Sequence, residues 1–171
     1  MDNCIQLAAI RGTQAHRAFY VAMMPYSSLS RLLSEAAIRE PRFGRPVNKA
    51  RLPAIAAYVS LMSEGHCVPP IHVIVDGLMR FECIDQHQSI GCLRVEVSAK
   101  LNVVDGQHRI LGIAKALAQR PALSRETLPV CFYAAVGLHA AQDMFETINR
   151  KAVRPANKLS MKKDSPFGEG G

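Results

Sequence analysis

The chain has 171 residues, five cysteines and a formal charge of +7, with 21 Lys and Arg against 14 Asp and Glu. That length supports one domain with its own core, and the odd cysteine set, with no C-x-x-C pair, suggests neither a secreted disulfide framework nor a zinc knuckle. No apolar run approaches the roughly 20 residues of a membrane span, and the opening Met1-Asp2-Asn3-Cys4 lacks the regions of a signal peptide, so the expected compartment is the cytoplasm.

Residues 4–10 and 17–23 are apolar, β-prone runs around Gly12-Thr13-Gln14-Ala15-His16, which reads as a hairpin with a longer loop. Ser27 or Ser28 is placed to cap a helix carrying Leu29, Leu32, Leu33 and Ala36. Residues 39–49, with Pro41, Gly44 and Pro46, read as a basic loop. A second helix follows with Pro53 suited to its first position, a stripe of Leu52, Ile55, Val59 and Met62, and a stop at Gly65. Residues 71–75 and 79–84 flank Asp76-Gly77, a turn signal that predicts a second hairpin. Leu93, Val95 and Val97 alternate with polar residues, as in a half-exposed strand. Residues 101–104 form a short strand feeding into Asp105-Gly106, and Ile110, Ile113, Ala114 and Leu117 mark a helix that ends before Pro121. Residues 128–135 read as a buried strand, followed by a helix with Leu138, Ala141, Phe145 and Ile148 on one face. The pattern defines an α/β (α+β) domain over residues 1–160, with a loose tail over 161–171.

Charge is concentrated in two places. Residues 150–171 hold six of the 21 basic residues and two of the 14 acidic ones, and Arg39, Arg42, Arg45, Lys49 and Arg51 form a second cluster. Such clusters attract polyanions in a salt-sensitive way. A solvated face that aids solubility is the ordinary alternative for each.

Asp105-Gly106-Gln107-His108-Arg109 lies between a strand and a helix. Glycine there permits a sharp turn and a close backbone approach, while the helix start offers unpaired N–H groups and a positive dipole end. The amides of Gln107, His108 and Arg109 would then meet a phosphate, with the Arg109 guanidinium adding a charge-assisted contact and His108 exchanging protons near neutral pH. Asp105 has three possible duties: capping the helix, orienting Arg109, or holding a metal. At the end of the last helix, Asn149, Arg150 and Lys151 either stop that helix and satisfy its dipole or close on the same ligand. His66, Cys67, His72 and His87 have no zinc-ligand spacing. Tyr20, Tyr26 and Tyr58, with 6% aromatics and no Trp, do not make a stacking platform for single strands.

Val103-Val104-Asp105-Gly106-Gln107-His108-Arg109 resembles the DGQHR-domain family, and over roughly residues 5–160 the chain resembles the DndB family, regulators found with bacterial DNA phosphorothioation systems. Ala9-Ile10-Arg11-Gly12, Phe19-Tyr20-Val21-Ala22-Met23, Asn48-Lys49-Ala50-Arg51-Leu52-Pro53, Met144-Phe145, Asn149-Arg150 and Ala152-Val153-Arg154-Pro155 carry that wider likeness in order. A more distant likeness is to the ParB and sulfiredoxin fold, through Pro70-Ile71-His72-Val73, the Gly106-x-x-Arg109 turn and Asn149-Arg150; Gln107 stands where sulfiredoxin carries its cysteine.

The resemblance implies a mixed sheet with flanking helices and a nucleoid-associated repressor that binds double-stranded operator DNA without a cofactor, and the basic clusters, with Arg42, Arg45, Lys49, Arg51, Lys151, Arg154 and Lys158, would supply the affinity. Gly106, Gln107, His108, Arg109, Asn149 and Arg150 would surround a phosphate or nucleotide. The alternative is a nucleoside triphosphatase or DNA-nicking enzyme. It would use magnesium with ATP, GTP or CTP, and Asp105, His108 and Arg109 as catalytic residues, Asp105 also holding the metal. A homo-oligomer is compatible with either.

Overall fold

The computed structural model describes residues 3–33, 47–61 and 67–135, together with positions 143 and 147. The N-terminal hairpin forms, with strands longer than the composition implies. β1 (Cys4–Gln14) and β2 (Arg17–Pro25) are antiparallel, and Ala15 and His16 alone reverse the chain, at φ of 46° and 63°. Two positive φ values match the right-handed twist of the flanking strands. Gly12 is therefore a strand residue: a Cβ on it would lie 2.5 Å from the Phe19 ring opposite, so its bare backbone gives that ring its place.

The first helix, α1 (Tyr26–Leu32), begins before Ser27 and has no side-chain cap. Burial sets its start: the Tyr26 side chain is in the core, and its N–H donates to the Glu126 carbonyl at 2.8 Å. A single 3₁₀ turn, Lys49–Arg51, leads into α2 (Leu52–Ser60), so Pro53 is the second residue of the helix and not the first, because the chain is already turning at Leu52. Ala56 and Val59 are buried and Leu52 and Ile55 half-buried. The helix ends at Ser60; the predicted stop at Gly65, with Met62, lies outside the described residues.

The remaining elements are β3 (Ile71–Asp76), β4 (Met79–Cys83), β5 (Ile90–Glu96), β6 (Lys100–Asp105), α3 (Gln107–Gln119), a 3₁₀ turn at Pro121–Arg125, and β7 (Thr127–Ala134). Among the described residues seven strands form one mixed sheet in the order β4-β5-β1-β2-β7-β3-β6, in which only β3 and β7 pair in parallel. With its helices, this is the expected α/β arrangement. Leu93 and Val95 point inward as the alternation requires, whereas Val97 lies beyond the strand and is exposed. On α3 the buried stripe is Ile110, Gly112, Ile113 and Ala116; Ala114 is only half-buried. The predicted helix after β7 lies outside the described residues, apart from Asp143 and Thr147.

The predicted hairpin between β3 and β4 does not form. β3 pairs with β6 and β7, β4 pairs with β5, and β3 and β4 run in the same direction. Gly77 and Leu78 alone join two strands that stand five places apart in the sheet order. In a flat sheet at about 4.8 Å per strand that gap would be about 24 Å, while three Cα steps reach about 11 Å. The sheet is therefore rolled. β3-β4 and β5-β6 form one long two-stranded ribbon, bent where Gly77 and Leu78 face residues 96–99. Gly77 sits at φ 146°, and a Cβ there would be 2.7 Å from the Ala99 Cβ. The turn signal was right about the backbone and wrong about its direction, because β3 already has neighbours on both sides.

The core lies between the rolled sheet and the helices. Ala22, Met24, Ile71, Val73, Val75, Leu93, Val103, Leu128, Val130 and Phe132 from the strands meet Leu29, Val59, Ile110, Ile113, Ala116 and Leu123. Ile74, Val104 and Cys131, which alternate with core residues, are buried as well, which accounts for the near-continuous apolar character of these central strands. Among the described residues no charged or polar side chain is fully buried, and no helix is long and apolar enough to cross a membrane.

Candidate functional site

The turn from β6 into α3 is built as its residue types require. Gly106 is the N-cap residue, at φ 104°, and a Cβ there would come within 2.8 Å of the Ile71 Cγ1. Conformation and close approach together call for glycine. Asp105 is the last residue of β6 and caps nothing; its carboxylate accepts from the Arg109 Nη2, one helical turn on. Of the three duties open to Asp105, orienting Arg109 is the one observed. Arg109 Nε is buried and has no hydrogen-bond partner among the described residues. Gln107 Nε2 donates back to the Val103 carbonyl at 3.1 Å and ties the helix start to the strand. The first intrahelical bond of α3 is from Ile110 N–H to the Gly106 carbonyl at 3.0 Å, so the N–H groups of Gln107, His108 and Arg109 precede the helical ladder.

His108 connects the turn to the basic segment. Its Nε2 accepts the Asn48 backbone N–H at 2.9 Å, so the ring is neutral when the bond is made. Partial desolvation, and then the nearby Arg51 charge, lower its pKa below the usual histidine value. Asn48 also accepts the Ala50 N–H through its side chain, at 3.0 Å, which shapes the turn bearing Lys49 and Arg51. Two clusters that stand about 60 positions apart in the chain thus meet at one place.

Two further contacts align α2 with α3. Further along, Gly112 admits the Ile55 side chain so closely that a Cβ would be 2.3 Å from Ile55 Cγ2. At the far end, Arg120 Nη1 donates to the Ser60 carbonyl at 2.8 Å. Starts, middles and ends match, so the helices run side by side in the same direction and present their positive dipole ends together.

Sequence reasoning undervalued His72. It lies directly opposite Asp105 in the β3–β6 register, at an irregularity in the pairing. Its Nδ1 is 3.2 Å from the Tyr133 hydroxyl, and its ring stacks on Tyr133, which stacks in turn on Phe19. Burial lowers the His72 pKa; the Asp105 charge opposes that shift and the Arg109 charge adds to it. Burial, with Cys131 beside it, pushes the Tyr133 phenol up to about 12, so it remains a hydroxyl. The one signal of His72 in the sequence was its place in Pro70-Ile71-His72-Val73.

Tyr26 is in the core, Tyr58 exchanges hydrogen bonds with the Cys67 backbone, and Tyr20 packs on Phe81. No three His, Cys, Asp or Glu side chains gather as a metal site among the described residues. Arg42, Arg45, Asn149, Arg150, Lys151, Arg154 and Lys158 lie outside the described residues, and so does the second half of the expected pocket.

A mixed-sheet α/β domain whose strand-turn-helix unit carries Asp-Gly-Gln-His-Arg beside a basic turn is a recognisable class. Over residues 7–165 the chain matches the model of the DndB family, described as DNA-sulfur modification-associated. The chain belongs to that family, and its role is in a DNA sulfur-modification system. No curated protein and no solved structure gives a significant match.

Proposed function

We propose that this chain is a DNA-binding transcriptional regulator of a sulfur-modification locus, in which the turn at residues 106–109 seats a phosphate. The observation that carries the reading is the meeting of two parallel helix starts. The free amides of the α3 start, Arg109, and Lys49 and Arg51 on the adjoining turn converge there. Unpaired N–H groups, a positive dipole end and guanidinium groups are the three parts of an anion site. Family membership supports DNA as the source of that anion.

Duplex DNA needs no cofactor in this reading, and a nucleoside triphosphate is the second ligand the same turn suits. The turn offers a divalent cation the carboxylate of Asp105, which is already paired with Arg109; that donor does not fit a resident magnesium ion, so no step is routed through one. Arg109 takes the part of phosphate ligand, exchanging Asp105 for the incoming anion, and His108 holds the basic turn in place.

The test is thermal stabilisation by inorganic phosphate, ATP, GTP, CTP and a short duplex, on the native chain and on Arg109→Ala, with a gel shift on the chain's own promoter. A ligand at 100 times its Kd raises stability by about 2.7 kcal/mol. The expected result is a shift with at least one phosphate ligand that Arg109→Ala abolishes. Equal shifts in both proteins would move the ligand away from the turn, and no promoter shift at low salt would remove the regulator.

A further inference from the structure

Charge is divided between the two layers of the fold. The helices α1, α2 and α3 and the two 3₁₀ turns carry six basic residues, Arg31, Lys49, Arg51, Arg109, Lys115 and Arg125, and no Asp or Glu; Arg120 links α3 to the second 3₁₀ turn, and Glu126 follows that turn. The seven strands carry five basic residues and four acidic ones, so they nearly cancel. Lys115, Arg120 and Arg125 belong to no motif and to neither charge cluster seen in the sequence. All three are exposed, as are Lys49 and Arg51.

The packing places these five cations along one pair of helices. Lys49 and Arg51 lie at the common start of α2 and α3, Arg120 bridges the two ends, and Arg125 follows on the next turn. Lys115 is seven residues beyond His108 on α3, and so on the same helical face. The row is as long as α3, about 20 Å for 13 residues at 1.5 Å each. That corresponds to about six base pairs of duplex at 3.4 Å.

We infer that duplex DNA lies along the α2–α3 face, running from the turn at residues 106–109 to Arg120 and Arg125, with the sheet turned away from it. The inference rests on the DNA-binding reading above and adds the surface. Cations at helix C-termini also satisfy the dipole, and that duty accounts for Arg120, whose guanidinium holds the Ser60 carbonyl. It accounts neither for Lys115 in mid-helix nor for the absence of Asp and Glu from the described helices and 3₁₀ turns. Contact is assigned to the phosphates, because exposed ammonium and guanidinium groups set in a row neutralise a backbone of any sequence.

The experiment is fluorescence anisotropy of the full chain with a 30-base-pair duplex of arbitrary sequence, titrated at several salt concentrations. Each phosphate contact contributes about 0.9 to the slope of log K against log salt. Lys115→Gln with Arg125→Gln, two exposed positions with no hydrogen bond or ion pair among the described residues, is expected to reduce that slope by about 1.8. Arg17→Gln with Arg80→Gln, on the strands, is expected to leave it unchanged, and circular dichroism confirms that both variants fold. A slope that falls with the strand pair and not with the helix pair overturns the assigned face while leaving DNA binding intact. Native chain that binds no duplex at 50 mM salt overturns both readings. Single-stranded RNA bound more tightly than duplex overturns the choice of partner.

Discussion

The β3–β6 half of the long ribbon and the β4–β5 half are made from the same two stretches of chain, yet they have opposite surroundings. In the first, Ile71, Val73, Val75 and Val103 are sealed beneath the helices. In the second, Leu93 and Val95 reach the core while Leu78, Ile84 and Ile90 remain exposed. The candidate site grows from the sealed half, at the point where β6 leaves the sheet. A turn that must hold a glycine at positive φ against a neighbouring side chain is kept in place only by an over-determined scaffold, and only one half of the ribbon supplies it.

The largest expected effect breaks that scaffold. Gly106→Val forces a side chain into φ 104° and onto Ile71. Left-handed backbone and overpacking together cost about 3 kcal/mol, equivalent to a Tm lower by roughly 6–12 °C at this chain length. An unchanged melting curve would mean that Ile71 does not press on the turn. Next comes Gly112→Ala, whose Cβ would collide with Ile55; about 1–3 kcal/mol is expected. Combined with Ile55→Ala it should cost less than the sum of the two single changes, and strict additivity in a double-mutant cycle would deny the close helix crossing.

A smaller effect is read by pH. Both His72 and His108 have folded pKa values below their ordinary 6.5, so the unfolded chain binds more protons in the window just under 6.5. Their contribution to stability is complete above 6.5 and is lost as pH falls through the folded values. Tm is expected to drop on going from pH 7 to 5, and less so in His72→Asn with His108→Asn. The same drop in both proteins would place the titrating groups elsewhere. At the bottom of the scale, Ile84→Ser at the exposed hairpin should change stability by no more than about 0.5 kcal/mol. A larger loss would show that this half of the ribbon is covered after all.

The sequence made local chemistry legible and long-range pairing much less so. The strand-turn-helix around Gly106 could be read because glycine, apolar period and helix stop all act within a few residues. Asp76-Gly77 misled because a turn dipeptide reports backbone conformation, and whether strands fold back or run on depends on partners far along the chain. Gly12 misled for the opposite reason: it serves the Phe19 ring across the hairpin instead of a loop. The meeting of Asn48 with His108, and the role of His72 beside Asp105, are tertiary facts with no local signature. The division of charge between layers was present in the composition, but it became visible only once α2 and α3 were known to lie side by side.

The rolled ribbon also sets the order in which the protein can be assembled. β1 has its partners in β2 and β5, and β2 has its second partner in β7, so the β1–β2 hairpin has no sheet to join until residues 90–96 and then 127–134 have been made. Pairings this distant are slow to close and leave apolar strand faces open meanwhile. β7, the last strand described, is the one that joins β2 to β3 and completes the sheet.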